Sequence, residues 1–270
     1  KTRQEGGPDE VIKEIDLKQY VVDTAATPDR SRAFVAVRAG NDQPGGVWVV
    51  DGVGLRLADA TLETDTLDLI ALPNGAEPTA MTLDPNGRYL YVAAGSAIYV
   101  IDIRPGNDLY RLVDTIALTT PNNKINAITT NADGKTLWIT APATEMFGGT
   151  KAWVQGGREP GVVLVVNVDE DDRPAPDAMT NPRLWHKEIL RLDGGIDPVG
   201  VTGTSDPKRM AFVSRLGTAA GRYKGLSVVE ISNDDPTSFA ANVRQIDLQL
   251  SKNVNQHYQL YVRNPYDVVI

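Results

Sequence analysis

The chain of 270 residues contains no cysteine and only two histidines. The absence of cysteine excludes disulfide bonds, thiolate metal sites, covalent attachment of c-type haem and cysteine nucleophiles. It leaves the cellular compartment open, because many exported bacterial proteins also lack cysteine. His186 and His257 lie far apart in the sequence and have no zinc-type companion motif, so a histidine metal site is poorly supported.

Long apolar runs and basic clusters are missing as well. No stretch approaches the roughly 20 apolar residues that a membrane-spanning helix requires. The formal net charge is -8 and the isoelectric point is about 4.9, so the average surface repels phosphate backbones and nucleic-acid binding is disfavoured. The sequence begins at Lys1 without an initiator methionine or a signal peptide, and we therefore expect a processed or excerpted piece.

Catalytic signatures are also absent from the sequence. It contains no G-x-S-x-G motif for a nucleophilic serine, no phosphate-binding P-loop and no spaced G-x-G-x-x-G motif. The 35 acidic residues allow any number of carboxylate pairs, so pairing without geometry has no predictive value. No sequence motif indicates an active site.

The sequence does contain a repeated pattern of short apolar runs and polar turns. Each copy has a β-prone run, a turn with Asp, Asn, Pro or Gly, a basic residue, and an alternating run that ends in an aromatic and an aliphatic residue. The copies are "VVDTAATPDRSRAFVAV" (21–37), "PTAMTLDPNGRYLYVAA" (78–94), "INAITTNADGKTLWITA" (125–141) and "PVGVTGTSDPKRMAFVSR" (198–215).

Two further apolar runs follow each copy, as in "SAIYVIDI" (96–103) and "RLVDTIAL" (111–118). In the first unit the fourth run is "TLDLIAL" (66–72). Each unit therefore predicts four short strands. One such sheet cannot cover both of its faces, so the copies must stack around an axis and bury their faces against one another, as in a β-propeller.

The second unit resembles the YVTN-type β-propeller repeat in "GRYLYVAAGSAIYVIDI" (87–103). Tyr91 and Val92 match the start of the name motif, Ala93 and Ala94 replace Thr and Asn, and residues 100–102 match the Val-Ile-Asp strand end. The resemblance covers residues 21–270 and is weakest in the fourth unit. It implies a WD40-like propeller in a family that includes surface proteins, enzymes and components of unknown role.

The predicted fold class is all-β: a propeller of four-stranded antiparallel blades, with four complete units and part of another. Residues 1–20 are expected to hold the outer strand of a blade, and residues 21–270 the repeats, with inner strands starting near residues 21, 78, 125, 198 and 265. We expect an excerpt of a larger ring, since propellers close with about four to eight blades. A four-bladed ring closed by its terminal strands is the alternative. In either case the last strand needs a partner.

Two long loops are the places where such a fold would carry function. The loop at 141–161 is rich in glycine and contains Met146, Phe147 and Trp153, which are candidates for an interaction loop. An extended hairpin that packs its aromatic residues on a neighbouring blade is the alternative interpretation.

The loop at 169–186 begins with four acidic residues. Of these, Asp169, Asp171 and Asp172 are candidate calcium ligands, because calcium prefers hard oxygen donors. Pro174, however, occupies the sixth position, where the EF-hand pattern requires glycine. A solvated acidic turn is the simpler interpretation. No other cofactor is expected.

The predicted inner strands carry small, apolar and hydroxyl side chains, with Asp23 and Asn126 as the strongly polar candidates for a central channel. His186 follows Trp185 near a strand start and is expected to be packed or hydrogen bonded, and His257 is expected in a loop.

Two functional classes follow from these observations. We favour a non-catalytic propeller module that is extracellular, at a cell surface or periplasmic, and that contacts a protein, a glycan or the remaining blades of its parent protein. The alternative is an enzyme similar to the propeller lactonases or quinoprotein dehydrogenases, with its site in the central channel. Converging carboxylates or a histidine in an axial pocket would favour the enzyme.

Overall fold

A computed structural model describes residues 13–40, 43–60, 66–104, 110–121, 123–143, 161–195, 197–214 and 225–246. These residues form strands, turns and two short 3-10 helices, at Pro73–Gly75 and Glu170–Asp172, and no α-helix. None of the described helices is long and apolar enough to cross a membrane. The expected all-β fold is confirmed.

The strands form four antiparallel sheets, which we call blades 1 to 4 in chain order. Blade 1 has the order β1-β2-β3-β4, and β5 pairs with β3 as well. Its strands are β1 (Val21–Ala26), β2 (Arg32–Val37), β3 (Gly46–Asp51), β4 (Arg56–Ala58) and β5 (Ile70–Ala71).

Blades 2, 3 and 4 each have four strands in sequential order. Blade 2 contains β6 (Ala80–Leu83), β7 (Tyr89–Ala94), β8 (Ala97–Asp102) and β9 (Arg111–Ala117). Blade 3 contains β10 (Ala127–Thr130), β11 (Thr136–Ala141), β12 (Gly161–Asn167) and β13 (Glu188–Gly195). Blade 4 contains β14 (Pro198–Gly203), β15 (Arg209–Ser214), β16 (Gly225–Asn233) and β17 (Ala240–Ile246).

The repeated turn motif closes the first hairpin of the blades. In blade 2 the Asp84 carboxylate accepts hydrogen bonds from the backbone of Asn86 and Arg88, and the Gly87 N–H donates to the Asp84 carbonyl at 2.8 Å. Gly87 has a φ of 67°, a conformation that glycine adopts without steric cost. Gly134 repeats this conformation in blade 3, so the shared turn residues encode one local geometry.

Three apolar clusters lie between consecutive blades. In β7, Tyr91 belongs to the cluster shared with blade 3, whereas Leu90 and Val92 belong to the cluster shared with blade 1. Trp138 in β11 packs with Phe212 of blade 4. The aromatic residues of the repeat therefore fill the spaces between blades, as their alternation predicts.

The four inner strands are neighbours in the order β1, β6, β10 and β14, and the described strands do not close a ring. The alternative of a closed four-bladed ring is thus not formed by the described residues. The predicted inner strand near residue 265 lies outside them. Residues 13–20, the described part of the predicted N-terminal segment, form no strand.

The outer edge of blade 1 differs from the predicted pattern of four strands. Both β4 and β5 pair with β3, β4 along residues 49–51 and β5 along residues 46–47. The run at 66–72 therefore contributes only two strand residues. β4 already pairs with the other half of β3, residues 49–51.

We expect Trp138→Ala and Tyr91→Ala each to lower the free energy of unfolding by about 3–5 kcal/mol, because both side chains are almost fully buried and would leave cavities. Chemical denaturation of the purified variants measures the change. Met179→Ala is the control, since this side chain is 99% exposed and should change stability by less than about 0.5 kcal/mol. A loss below about 1 kcal/mol at both aromatic positions would contradict the assigned packing.

Candidate functional site

The polar side chains of the inner strands bind neighbouring blades. Asp23 of β1 accepts a hydrogen bond from the Met81 N–H at 2.8 Å. Asn126 donates from its side-chain amide to the Pro198 carbonyl at 2.7 Å. The two channel candidates thus each join one blade to the next.

The boundary between blades 2 and 3 has a similar contact. The Thr130 hydroxyl of β10 donates to the Leu83 carbonyl of β6 at 3.1 Å. Each of the three boundaries between the inner strands is therefore crossed by a side chain that binds the backbone of its neighbour.

The predicted interaction-loop residues Met146, Phe147 and Trp153 lie outside the described residues. The chain leaves blade 3 at the end of β11 and returns at Gly161, the start of β12. Both points are at the same end of the blade as Asn126, because β10 begins there. The interaction loop stays a prediction.

The acidic loop connects β12 and β13 at the opposite end of blade 3. Asp169 caps the 3-10 helix by accepting from the Asp171 N–H at 3.1 Å, and its second oxygen pairs with the Lys135 ammonium at 2.7 Å. Asp172 pairs with the Arg183 guanidinium at 2.9 Å. These contacts direct two of the carboxylates toward cationic side chains.

The calcium prediction at Asp169, Asp171 and Asp172 remains open. In the part of the chain that the structure describes, no group of three or more acidic, histidine or cysteine side chains is arranged to hold a metal ion. Asp171 is exposed, while Asp169 and Asp172 are held in the contacts given above.

His186 lies at the end of the same loop and contacts blade 2. Its imidazole is buried, and Nδ1 lies 2.5 Å from the Asp114 carboxylate of β9. The ring stacks on Trp185 with 3.5 Å between ring centroids, and the Arg173 guanidinium lies 5.0 Å from the indole ring centroid. We call Arg173, Trp185 and His186 the rim stack. The expectation that His186 is packed and hydrogen bonded is confirmed.

The backbone around the rim stack is unusual. Leu184 and His186 have φ values of 56° and 55°, in the left-handed region that costs energy for residues other than glycine. The Asn181 side chain holds Trp185 between them, donating to its carbonyl at 2.7 Å and accepting from its N–H at 2.8 Å. This side chain fixes the conformation of the loop end.

Burial sets the charge of His186. It lowers the pKa of the imidazole, and the hydrogen bond that the ring donates to the Asp114 carboxylate acts in the opposite direction. Glu170 also favours the charged form, whereas Arg173 disfavours it. The lowered pKa favours the neutral imidazole around pH 7.

A cleft of about 360 Å³ opens between blades 3 and 4 at the end of the blades that carries the acidic loop. We call it the blade 3–4 cleft. Arg183 crosses the boundary to the Asp235 carboxylate at 3.1 Å, and Lys208 pairs with Asp234 at 3.2 Å. Its polar lining includes Asn131, Asp133, Lys135, Asn167, Asp169, Asp172, Arg183, Lys208, Asp234 and Asp235.

No sequence motif predicts the rim stack or most of the cleft. Asp114 is a polar residue within an apolar outer strand, and Asn233 to Pro236 form an acidic turn, so both carry a weak local signal. Their partners lie far away in the sequence: Asp114 is 72 positions from His186, and Asp235 is 52 positions from Arg183.

No protein-family model matches this chain, and no curated protein matches it. Solved structures do match in fold. One is a proposed 6-phosphogluconolactonase from Bacteroides fragilis, with a TM-score of 0.55 and 15% identity over 85% of this chain and 56% of that chain.

Two further matches are U3-55K and the WD40 repeats of RRP9. The first has a TM-score of 0.52 and 13% identity over 85% of this chain and 53% of that chain. The second has a TM-score of 0.50 and 13% identity over 79% of this chain and 49% of that chain. The chain thus spans about half the length of these structures. At this level of identity the matches establish a propeller-like fold and nothing finer.

We expect His186 to make the protein less stable at mildly acidic pH. Its pKa is lower in the folded than in the unfolded state, so the unfolded chain binds a proton first as the pH falls below about 6.5. The stabilisation present above that pH is then lost as the pH falls toward the folded-state pKa. His186→Gln should reduce the difference in the free energy of unfolding between about pH 7.5 and pH 5.5.

The matched control is His257→Gln, since His257 is the only other histidine in the chain. Denaturation curves at both pH values give the result. A pH dependence that disappears with His257→Gln and survives His186→Gln would show that the assignment is wrong.

Proposed function

We propose that the protein is a non-catalytic β-propeller module that serves as a rigid platform for protein contacts. The observation that carries the proposal is that polar side chains at the inner edge of the blades bind neighbouring blades. Asp23 of β1, Thr130 of β10 and Asn126, which directly precedes β10, are each committed to a backbone group of the neighbouring blade. Groups held in this way stabilise the arc of blades and are not aimed at a common reacting atom.

The fold matches support a role in protein interaction only at the level of architecture. One of the three is named for its WD40 repeats, and another carries a lactonase name. The platform consists of packed blades with fixed boundaries. Such a surface can bind a partner without paying a large ordering cost.

We also propose that the protein acts outside the cytoplasm, at a cell surface or in the periplasm. The support is the resemblance of residues 87–103 to the YVTN-type repeat, whose family includes surface proteins. The remaining blades of a larger parent protein would complete the ring. Protease digestion of a tagged chain, on intact cells and again after the outer membrane alone has been permeabilised, tests the location, and protection of the tag in both states until complete lysis would contradict it.

A propeller lactonase is the second candidate function. The specific observation in its favour is the similarity in fold to the proposed 6-phosphogluconolactonase, with a TM-score of 0.55. Against it stands the commitment of Asp23 and Asn126 to blade contacts. His186 is remote from this arrangement, since it binds the outer strand β9.

We expect the purified protein to hydrolyse 6-phosphogluconolactone and δ-gluconolactone no faster than buffer does, because the described inner strands offer no converging acid and base. A pH-stat or coupled assay measures the rate, with an amine substrate and an electron acceptor tested in parallel. His186→Ala is the reference variant. Turnover above background that is lost in His186→Ala, Asp23→Ala or Asn126→Ala would favour the enzyme.

The assigned structural roles make a separate prediction. Asn126→Ala and Asp23→Ala should each lower the free energy of unfolding by about 1–3 kcal/mol, because each change leaves a backbone group at a blade boundary without its partner. Asn242→Ala, on the exposed face of β17, is the control. Equal stability of all three variants would contradict the bridging role.

A further inference from the structure

The lining of the blade 3–4 cleft combines apolar with charged side chains, which we call its floor and its walls. Ile231 and Phe239 of blade 4 are each only 7% exposed, and Ile189 of blade 3 lies beside them in the lining. Pro207 and Pro236 complete the apolar part. The volume of about 360 Å³ lies in the lower part of the range of roughly 300–1,000 Å³ that is usual for small-molecule clefts.

The charged walls are held in fixed positions. Arg183 donates through Nε to Asp172 at 2.9 Å and through one terminal nitrogen to Asp235 at 3.1 Å, which joins the two blades. Also on the blade 3 side, Lys135, between β10 and β11, donates to Asp169 at 2.7 Å. Charged hydrogen bonds of this kind keep donors and acceptors in place before any ligand arrives.

These walls retain hydrogen-bonding capacity for a ligand. Among the described contacts, the second terminal nitrogen of Arg183 has no partner, and Lys135 uses one of its three ammonium hydrogens. The carboxylates can accept further bonds because each oxygen has two lone pairs. Hydrogen bonds from Thr237 and a contact with Arg183 lower the pKa of Asp235 to about 2, so this acceptor is ionised at neutral pH.

The balance of charge limits the ligands that fit. The lining contains the cations Lys135, Arg183 and Lys208 and five carboxylates, from Asp133, Asp169, Asp172, Asp234 and Asp235. The excess of carboxylates repels phosphate and other anions. Four of the five carboxylates, all except that of Asp133, are already paired with Lys or Arg, which disfavours their use as ligands of a free metal ion. A hydroxyl group suits both kinds of wall, since it donates to a carboxylate and accepts from an ammonium or guanidinium.

We propose that the blade 3–4 cleft binds a neutral carbohydrate of one or two sugar rings, with the C–H face of a ring on the apolar floor and its hydroxyls on the charged walls. The proposal extends the proposed platform function. It rests on that function in one respect, namely that the sugar is bound and not converted. Carbohydrates match this cleft because their rings are apolar on the faces and polar at the edges. Both features match a lining that combines the apolar side chains of Ile231 and Phe239 with those of Asp and Lys.

The test uses the full chain and a panel of neutral disaccharides, namely cellobiose, maltose, lactose and mannobiose. Saturation-transfer NMR and calorimetry at up to about 10 mM sugar should show saturable binding of at least one member. Lys135→Gln and Asp234→Asn should each weaken that binding about tenfold, because each removes a charged hydrogen-bonding group. Lys124 and Asp177 are exposed and lie outside the cleft. Lys124→Gln and Asp177→Asn are therefore controls with the same charge changes.

Inorganic phosphate and calcium chloride are tested in the same way. Binding of either one with the same dependence on Lys135 and Asp234, or no binding of any disaccharide, would overturn the proposal. An equal loss of affinity in the control variants would also overturn it. Circular dichroism and thermal unfolding of each variant confirm that its fold is intact. The lactone assay reports on catalysis independently, so failure of sugar binding and failure of the platform function give different results.

Discussion

Each blade has two apolar faces and can bury them only against another blade, and the rest of the structure depends on this constraint. In β7 the alternation of the strand sends Tyr91 to one neighbour and Leu90 and Val92 to the other. Burial of apolar area contributes about 25 cal/mol per Å², which makes it the main favourable contribution. Because this force has no direction, it selects stacking of the blades but leaves their exact alignment open.

Directional contacts supply the alignment. At the inner edge of the blades, Asp23, Thr130 and Asn126 bind backbone groups of the following or preceding blade. At the outer rim, His186 binds Asp114. A blade that slid along its neighbour would leave these groups without partners, and an unpaired buried polar group costs about 1–3 kcal/mol. Apolar burial and polar contacts therefore perform separate tasks at the same boundary.

The strands and turns could be predicted from the sequence because their causes are local. The period of two along residues 88–92 and the turn chemistry around Gly87 and Gly134 each operate within a few residues. The partners across the blades could not be predicted, since Asp114 and His186 are 72 positions apart and the weak local signal at Asp114 does not point to its partner. The outer edge of blade 1, where β4 and β5 both pair with β3, also depends on distant contacts. A Cβ on Gly46 would lie 2.4 Å from the Leu69 side chain. β5 can therefore pair with this part of β3 only because residue 46 is glycine.

The two boundaries of blade 3 differ because the acidic loop is divided between them. On the side of blade 2, the rim stack contacts β9 through the bond between His186 and Asp114. On the side of blade 4, the described contacts of the loop include one long side chain, Arg183, which reaches Asp235 and leaves the cleft open. Only two residues separate Arg183 from His186, and Asn181 fixes the backbone between them, so one short segment sets the geometry of both boundaries. Changes in this segment alter contacts among three blades while the apolar clusters that specify the fold stay unchanged. The residues that specify the fold therefore differ from those that shape the boundaries. For this reason the repeats reveal the architecture, whereas the groups available for binding become visible only in three dimensions.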